Sequence, residues 1–309
     1  MTRPEITIVV PIYNGAAYLK ETLESLLAQT FTNFELLAID DGSTDSSTEI
    51  VRSLKDERIR LICLDRGGLC ATLNRGMSEA RAPYFARSDH DDISFPTRLE
   101  RQLKVMKNHP DAIAVFSFNS KFGKKHRWAN SDKFSVESSP VREYSPERDG
   151  CMLASTMLAR TESLGAMGGF RQAYWPCDDI DLQFRMSEAG KVMILCEPLV
   201  DYRFHVGAYS YPQFQRMQLL ADWARDSRYR RMRNEPEITY DEFLKNLPAD
   251  RWSRLRRHRI FSSREHMRVG GQRYLDGQYL ASAAHFSMSA LLDPGDISRR
   301  IKRLVRRFV

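Results

Sequence analysis

The run Ser88-Asp89-His90-Asp91-Asp92 puts three carboxylates within five residues. Oxygen donors of this kind suit Mg²⁺ or Mn²⁺, ions commonly held by one or two carboxylates together with substrate phosphates. In an extended segment Asp89 and Asp91 share one face, Asp92 can turn into the following loop, and His90 serves as a spacer. A plainer role is also open, because Asp91 or Asp92 could cap a helix that begins after Pro96. Asp40-Asp41-Gly42-Ser43-Thr44-Asp45 mixes carboxylates with turn formers, so a tight turn and helix cap suits it too. A third group, Asp178-Asp179-Ile180-Asp181, precedes a helical pattern over 180–189. A carboxylate there can take a proton from an attacking hydroxyl, or be only a favourable charge at a helix start, the role assigned to Asp181.

Elements must bring these groups together. Ile6 to Val10 and Phe34 to Ile39 are short apolar runs that predict strands buried on both faces, and Leu19, Leu23, Leu26 and Leu27 predict a helix between them. Ser46 and Glu49 have capping-box spacing for a helix reaching about Leu54. A strand over 59–64, a helix over 69–80 and a strand over 84–87 follow, which gives βα alternation and predicts a doubly wound, mostly parallel sheet. Ligands in such sheets bind beyond the carboxyl ends of the strands, where Pro11 to Gly15, Asp40 to Thr44 and Asp89 to Asp92 fall. Residues 119–147 lack a clear period and predict a long loop or flap. Gly270 to Pro294 resembles one tetratricopeptide-like helix pair, expected to pack on the rest of the chain.

The composition, 42% hydrophobic and 10% aromatic over 309 residues, is that of a folded globular protein of one large or two smaller domains. Of the net charge of +7, residues 251–309 carry +10, from fourteen Lys or Arg and four Asp or Glu, which leaves −3 for residues 1–250. Positive charge is thus missing where the polar clusters lie, which argues against nucleic acid and makes membrane phosphates the expected partner of the basic tail. Within it, Arg299 to Arg307 interleave with Ile301, Leu304, Val305 and Phe308 at helical spacing, suited to a membrane surface, a partner or the protein's own domain. Neither an apolar run of about 20 residues nor an apolar leader is present, predicting a cytoplasmic protein, at the inner face of the membrane where the tail docks. Five cysteines without a C-x-x-C pair predict reduced, mostly buried thiols.

Pro11-Ile12-Tyr13-Asn14-Gly15, Asp40 to Asp45 and the D-x-D of the acidic run stand in an order and spacing that resembles the family 2 glycosyltransferases. Gln29-Thr30-Phe31, Gly68-Leu69, Leu73-Asn74-Arg75-Gly76, Arg98-Leu99-Glu100 and Gln102 agree with that family, as do Gly168 to Arg171, Trp175 to Leu182, and Tyr202-Arg203-Phe204-His205 with Gly207 and Ser210. The resemblance covers about residues 5–210. It implies a GT-A fold, a Rossmann-like mostly parallel sheet flanked by helices, here with a helical C-terminal extension. It further implies transfer of a sugar, with inversion, from a nucleoside-diphosphate sugar, a UDP-sugar favoured, to a hydroxyl of a glycan or glycolipid in bacterial surface polysaccharide biosynthesis.

By the same resemblance, Tyr13 lies against the nucleobase, Asp41 accepts a hydrogen bond from it, and Pro11, Asn14, Asp40, Asn74, Asp89 and Arg203 complete the donor site, Arg203 being equally suited to a structural carboxylate. A divalent metal, Mn²⁺ or Mg²⁺, would be held by Asp91 and Asp92, with His205 completing its shell or touching the diphosphate. Asp179 would be the base, and Asp178 its catalytic neighbour where the family often has Glu. The implied division is a catalytic domain over 1–220, with a nucleotide half of about 1–118 and an acceptor half of about 119–220, and an extension over 221–309. Two rivals differ in chemistry. A sugar nucleotidyltransferase would need a Gly-rich phosphate loop with an adjacent Arg or Lys after strand one, which is missing, and a non-catalytic sugar-nucleotide-binding scaffold would have lost the base or metal residues.

Overall fold

The apolar runs become the centre of a sheet because their side chains are mostly β-branched and aliphatic, and the two polar ones, Thr7 and Glu35, satisfy each other through a 2.7 Å hydrogen bond. In the computed structural model, which describes residues 3–129, 140–205 and 213–295, β1 (Ile6–Ile12) and β2 (Phe34–Asp40) are buried along their whole lengths. β3 (Ile59–Cys63), β2, β1 and β4 (Tyr84–Arg87) pair in parallel in that order. Helices α1 (Leu19–Leu27), α2 (Ser47–Ser53) and α3 (Leu69–Glu79) connect them.

Beyond β4 the sheet changes character. β9 (Leu158–Arg160) pairs antiparallel with both β4 and β6 (Ala112–Phe122), and β10 (Lys191–Arg203) pairs antiparallel with β5 (Ile93–Ser94) and β8 (Val141–Glu143). The ten strands run β3-β2-β1-β4-β9-β6-β10-β5, with β7 (Arg127–Ala129) on β6 and β8 on β10. A mixed sheet of this kind gives α/β connections on one side and short antiparallel returns on the other. α4 (Arg98–Asn108), α5 (Pro146–Asp149), α6 (Thr161–Ala166) and α7 (Asp178–Ala189) complete this part.

Two compact units result, one within 1–120 and 137–203, the other within 121–136 and 204–309. The second contains α8 (Phe214–Met232), α9 (Tyr240–Asn246), α10 (Arg251–Leu275) and α11 (Tyr279–Leu292). α10 and α11 form the expected helical hairpin, closed where Gly270 lets Phe286 approach: a Cβ there would lie 2.8 Å from its ring.

Several local expectations are corrected. The capping box at Ser46 does not form; Asp45 Oδ1 accepts instead from the Ser47 amide and hydroxyl. Among the described residues of 119–147, the end of β6, then β7, β8 and the start of α5 stand where a loop was expected, while 130–139 lie outside the described residues. Cys70 and Cys177 are buried, but Cys63 and Cys151 are exposed. The basic stripe Arg299 to Arg307, and Gly207 and Ser210, lie outside the described residues.

Candidate functional site

Because β1, β2 and β4 are parallel, their carboxyl ends open on one edge, and the residues after each end meet there. The loops after β1 and β2 brace each other. Asn14, at φ +48°, accepts through Oδ1 from the Thr44 amide at 2.8 Å, while its own amide donates to Ser43 Oγ. The Gly15 amide donates to Ser47 Oγ and the Ala16 amide to Asp45 Oδ2, each at 3.0 Å. The Asn14 side chain therefore builds the loop.

Asp40 and Asp41 are both buried. Asp40 Oδ2 accepts from the Ser43 amide, and its Oδ1 is without a hydrogen-bond partner. Asp41 accepts from the Gly67 amide at 2.7 Å and the Gly68 amide at 2.9 Å, so it fixes the turn ahead of α3. A carboxylate has about four lone-pair sites, which leaves acceptor capacity for a ligand. Tyr13 is 38% exposed, and the Arg66 guanidinium lies over its ring at 3.3 Å from the centroid. One aromatic face is thus already covered by a stacked cation.

His90 does more than space the carboxylates. Its Nδ1 donates to the carbonyl of Pro11 at 3.2 Å, which fixes that tautomer. A Cβ on Gly15 would come within 2.6 Å of its ring, and Thr22 Oγ1 donates to its carbonyl. The acidic run is in this way tied to β1 and α1.

Arg87 was not singled out from the sequence, and it joins the two acidic groups. Buried at the end of β4, it donates through Nε to Asp89 Oδ1 at 2.9 Å and through a terminal nitrogen to Asp178 Oδ2 at 3.3 Å. Burial disfavours its charge, but Asp89, Asp178 and Asp179 more than offset that and hold it protonated far above its ordinary range. The available signal was a lone Arg closing the apolar run Tyr84-Phe85-Ala86.

Asp178, Asp179 and Asp181 occupy the first turn of α7. Asp178 is buried, and desolvation raises its carboxyl despite Arg87. Asp179 is half-buried; desolvation first, then the charge of Asp178, push it up to about 7, against the pull of Arg87 and the Ile180 amide. A carboxylate poised near neutrality is tuned for proton transfer at physiological pH. Asp181 lies in the first turn of α7, where a favourable helix-start charge was expected, and is fully buried in ion pairs with Arg171 and Arg185.

Asn74, expected at the donor, instead clamps the backbone of Phe170, with Nδ2 donating to its carbonyl and Oδ1 accepting from its amide, both at 2.8 Å. Arg203 likewise has protein partners in the carbonyl of Asp91, the carboxylate of Glu21 and the ring of Tyr18.

Asp92 is buried, with Oδ1 accepting from the Arg203 amide and Oδ2 unpartnered; desolvation, then Asp91 and Asp89, push its carboxyl well above the usual range. Crowded hard oxygen donors of this kind fit a divalent cation, whose charge would relieve their repulsion. Among the described residues no three His, Cys, Asp or Glu side chains are grouped to hold a metal by themselves, so the fit is to an ion completed by substrate oxygens. His205, two residues past β10, belongs to the second unit.

The surrounding motif residues form a scaffold. Fully buried Arg98 donates to Ser94 Oγ and to the Arg87 carbonyl, Gln102 to the Thr156 carbonyl, and Gln29 to the Phe95 carbonyl.

Comparison with known proteins agrees with this geometry. The model of "Glycosyl transferase family 2" matches residues 7–175. An uncharacterized glycosyltransferase of Rickettsia felis is 28% identical over 207 residues, 65% of this chain and 34% of that protein. The chain thus spans about a third of that relative's length. The putative glycosyltransferase EpsE of Bacillus subtilis is 32% identical over 199 residues, 60% of this chain and 68% of that one. Among solved structures, S. aureus TarS 1–349 in complex with UDP-GlcNAc superposes with a TM-score of 0.60 at 16% identity, covering 95% of this chain and 92% of that chain, a likeness of fold.

Proposed function

The chain belongs to glycosyl transferase family 2 and has the GT-A fold, and on that premise we propose that it transfers a sugar, with inversion, from a nucleoside-diphosphate sugar to a hydroxyl of a glycan or glycolipid. The observation that carries this reading is the Arg87 bridge. One buried guanidinium holds Asp89 of the D-x-D run and Asp178 beside Asp179, so donor-side and acceptor-side carboxylates share a fixed partner. A UDP-sugar is the favoured donor, since TarS is described with UDP and with UDP-GlcNAc. The functional division proposed is a catalytic domain over about 1–220 and an extension over 221–309, in a cytoplasmic protein whose basic tail touches membrane phosphates.

On the donor side, Tyr13 offers its uncovered face to the base, Asp41 and the unpartnered Oδ1 of Asp40 accept from polar groups, and Asp89 accepts from ribose. Pro11, Asn14, Asn74 and Arg203 complete the proposed donor side, Pro11 and Asn14 through the braced loops, Asn74 through the Phe170 backbone and Arg203 through the Asp91 carbonyl. On the acceptor side, the hydroxyl gives its proton to Asp179. Its oxygen bonds to the anomeric carbon as the bond from that carbon to the phosphate oxygen breaks, and the nucleoside diphosphate departs with the electron pair. Asp178, held by Arg87, keeps Asp179 basic through its negative charge. A divalent cation held by Asp91 and Asp92 would neutralise charge on the departing diphosphate.

The test is a panel of nucleotide sugars, screened first by thermal shift and then for turnover with Mn²⁺ or Mg²⁺. Release of nucleoside diphosphate is expected, and release of pyrophosphate would overturn the reading in favour of nucleotidyl transfer. Chelation and Asp91→Ala should each abolish turnover; full activity in chelator removes the metal from the scheme.

A further inference from the structure

The first fourteen residues of α10, Arg251 to Arg264, contain six arginines and no acid. Helical spacing divides them into two faces. Phe261 is buried, with Ser253, Arg257 and Ile260 partly covered, while Arg251, Arg254, Arg256 and Arg259 are exposed. The guanidinium groups of these four make no hydrogen bond or ion pair among the described residues. On the same exposed arc, Trp252 is 79% exposed and Leu255 48%. Beside it a cleft of about 270 Å³ is lined by Arg256, Arg257 and Arg264 over Ile260 and Phe261, with one acid, Asp222, among them.

Cations alone would suit any polyanion. A nucleic acid or an acidic protein, however, would engage the arginines and leave the indole of Trp252 and the isobutyl group of Leu255 in water. A bilayer interface takes both, because Trp settles at the headgroup level and aliphatic groups enter the acyl boundary while arginines meet lipid phosphates. No helix among the described residues is long and apolar enough to cross a membrane, so the contact is one of a helix lying in the interface.

We propose that the N-terminal half of α10 is a docking surface for anionic bilayers, with Trp252 and Leu255 entering the interface and Arg251, Arg254, Arg256 and Arg259 pairing with lipid phosphates. The proposal deepens the membrane contact of the functional reading and moves its centre from Arg299–Arg307 to α10.

The experiment is cosedimentation of the full chain with vesicles of phosphatidylcholine alone or with roughly one-third phosphatidylglycerol, at low and high salt. Binding is expected to anionic vesicles only, and to weaken with salt. Arg254→Gln with Arg259→Gln should weaken partition about thirtyfold, at about 1 kcal/mol per cation. Trp252→Ala with Leu255→Ala should weaken it at least tenfold. These four side chains are exposed, so thermal melts should match the parent chain.

A control carries Arg299, Arg300, Arg303, Arg306 and Arg307→Ser. If that control loses binding while the α10 variants keep it, the tail is the contact and the proposal falls. Absence of parent binding to anionic vesicles, or equal binding to phosphatidylcholine alone, also overturns it, as does retention of an RNA duplex in place of vesicles. Donor hydrolysis is measured in parallel and should be unchanged in every α10 variant, so failure of docking and failure of the transferase reading are told apart.

Discussion

Asp179→Asn separates a base from a helix-start charge by the sign of its effect on stability. In the fold Asp179 is pushed up to about 7, whereas an aspartate in an unfolded chain titrates near 3.9. Its ionised form is therefore disfavoured by folding. The penalty begins as pH rises past about 4, where the unfolded chain loses its proton first, and is complete above about 7. A shift of about three units is about 4 kcal/mol. Asp179 is half-buried and shares its shift with Asp178, so about 1–3 kcal/mol is the usable figure. Asn keeps the acceptor for the Ile180 amide but carries no charge. At pH 8 the variant should melt roughly 2–8 °C higher than the parent, with the gain shrinking at pH 5 and gone near pH 4. Turnover should fall about 10²–10⁴-fold with donor affinity unchanged, and parent activity should rise with pH through about 7. Were Asp179 only a favourable charge at the start of α7, the variant would lose about 0.3–1 kcal/mol instead. A lower melting temperature at pH 8, or unchanged turnover, refutes the reasoning.

Arg87→Met leaves Asp89 and Asp178 without their shared cation, and urea unfolding should show a loss of about 3–5 kcal/mol; Lys, a point charge, should recover only part of it. Gly169 has φ +66° and a Cβ there would meet Asn74 Oδ1 at 2.4 Å, so Gly169→Ala should cost about 1–3 kcal/mol by thermal or urea unfolding and loosen the Phe170 segment. Tyr13→Ala should raise the donor Kd about three- to tenfold by calorimetry with turnover at saturation unchanged.

What the sequence made legible was whatever is written locally. The apolar runs of β1 and β2 needed no partner to be recognised, two of the acidic clusters followed from strand ends, and the third from a helix start. The bridging role of Arg87 joins positions 91 residues apart, and the Asn74 clamp joins positions 96 apart; neither is implied by neighbouring residues. Asn74 looked like a donor residue because its motif neighbours the site, but its amide matches a peptide group donor for acceptor, and the Phe170 backbone takes both. His90 looked like a spacer because alternation says only which way a side chain points. Its contact depends on the missing Cβ of Gly15. The antiparallel half of the sheet was hidden for a related reason, since β5, β8 and β9 have only two or three residues each and are too short for a period.

The bracing of the loops after β1 and β2 has a consequence for anyone wishing to change the donor. Asn14, Ser43, Asp45 and Ser47 hold backbone amides of the two loops, so the floor is ordered before a nucleotide arrives and little conformational entropy is left to lose on binding. Variation at those positions should unravel the shelf and not retune it. Tyr13 and Arg66 are different: they stand on that shelf and touch each other by ring and guanidinium alone. On the proposed reading, in which Tyr13 faces the base, a library aimed at another nucleobase belongs at 13 and 66, with positions 14 and 43–47 kept as they are.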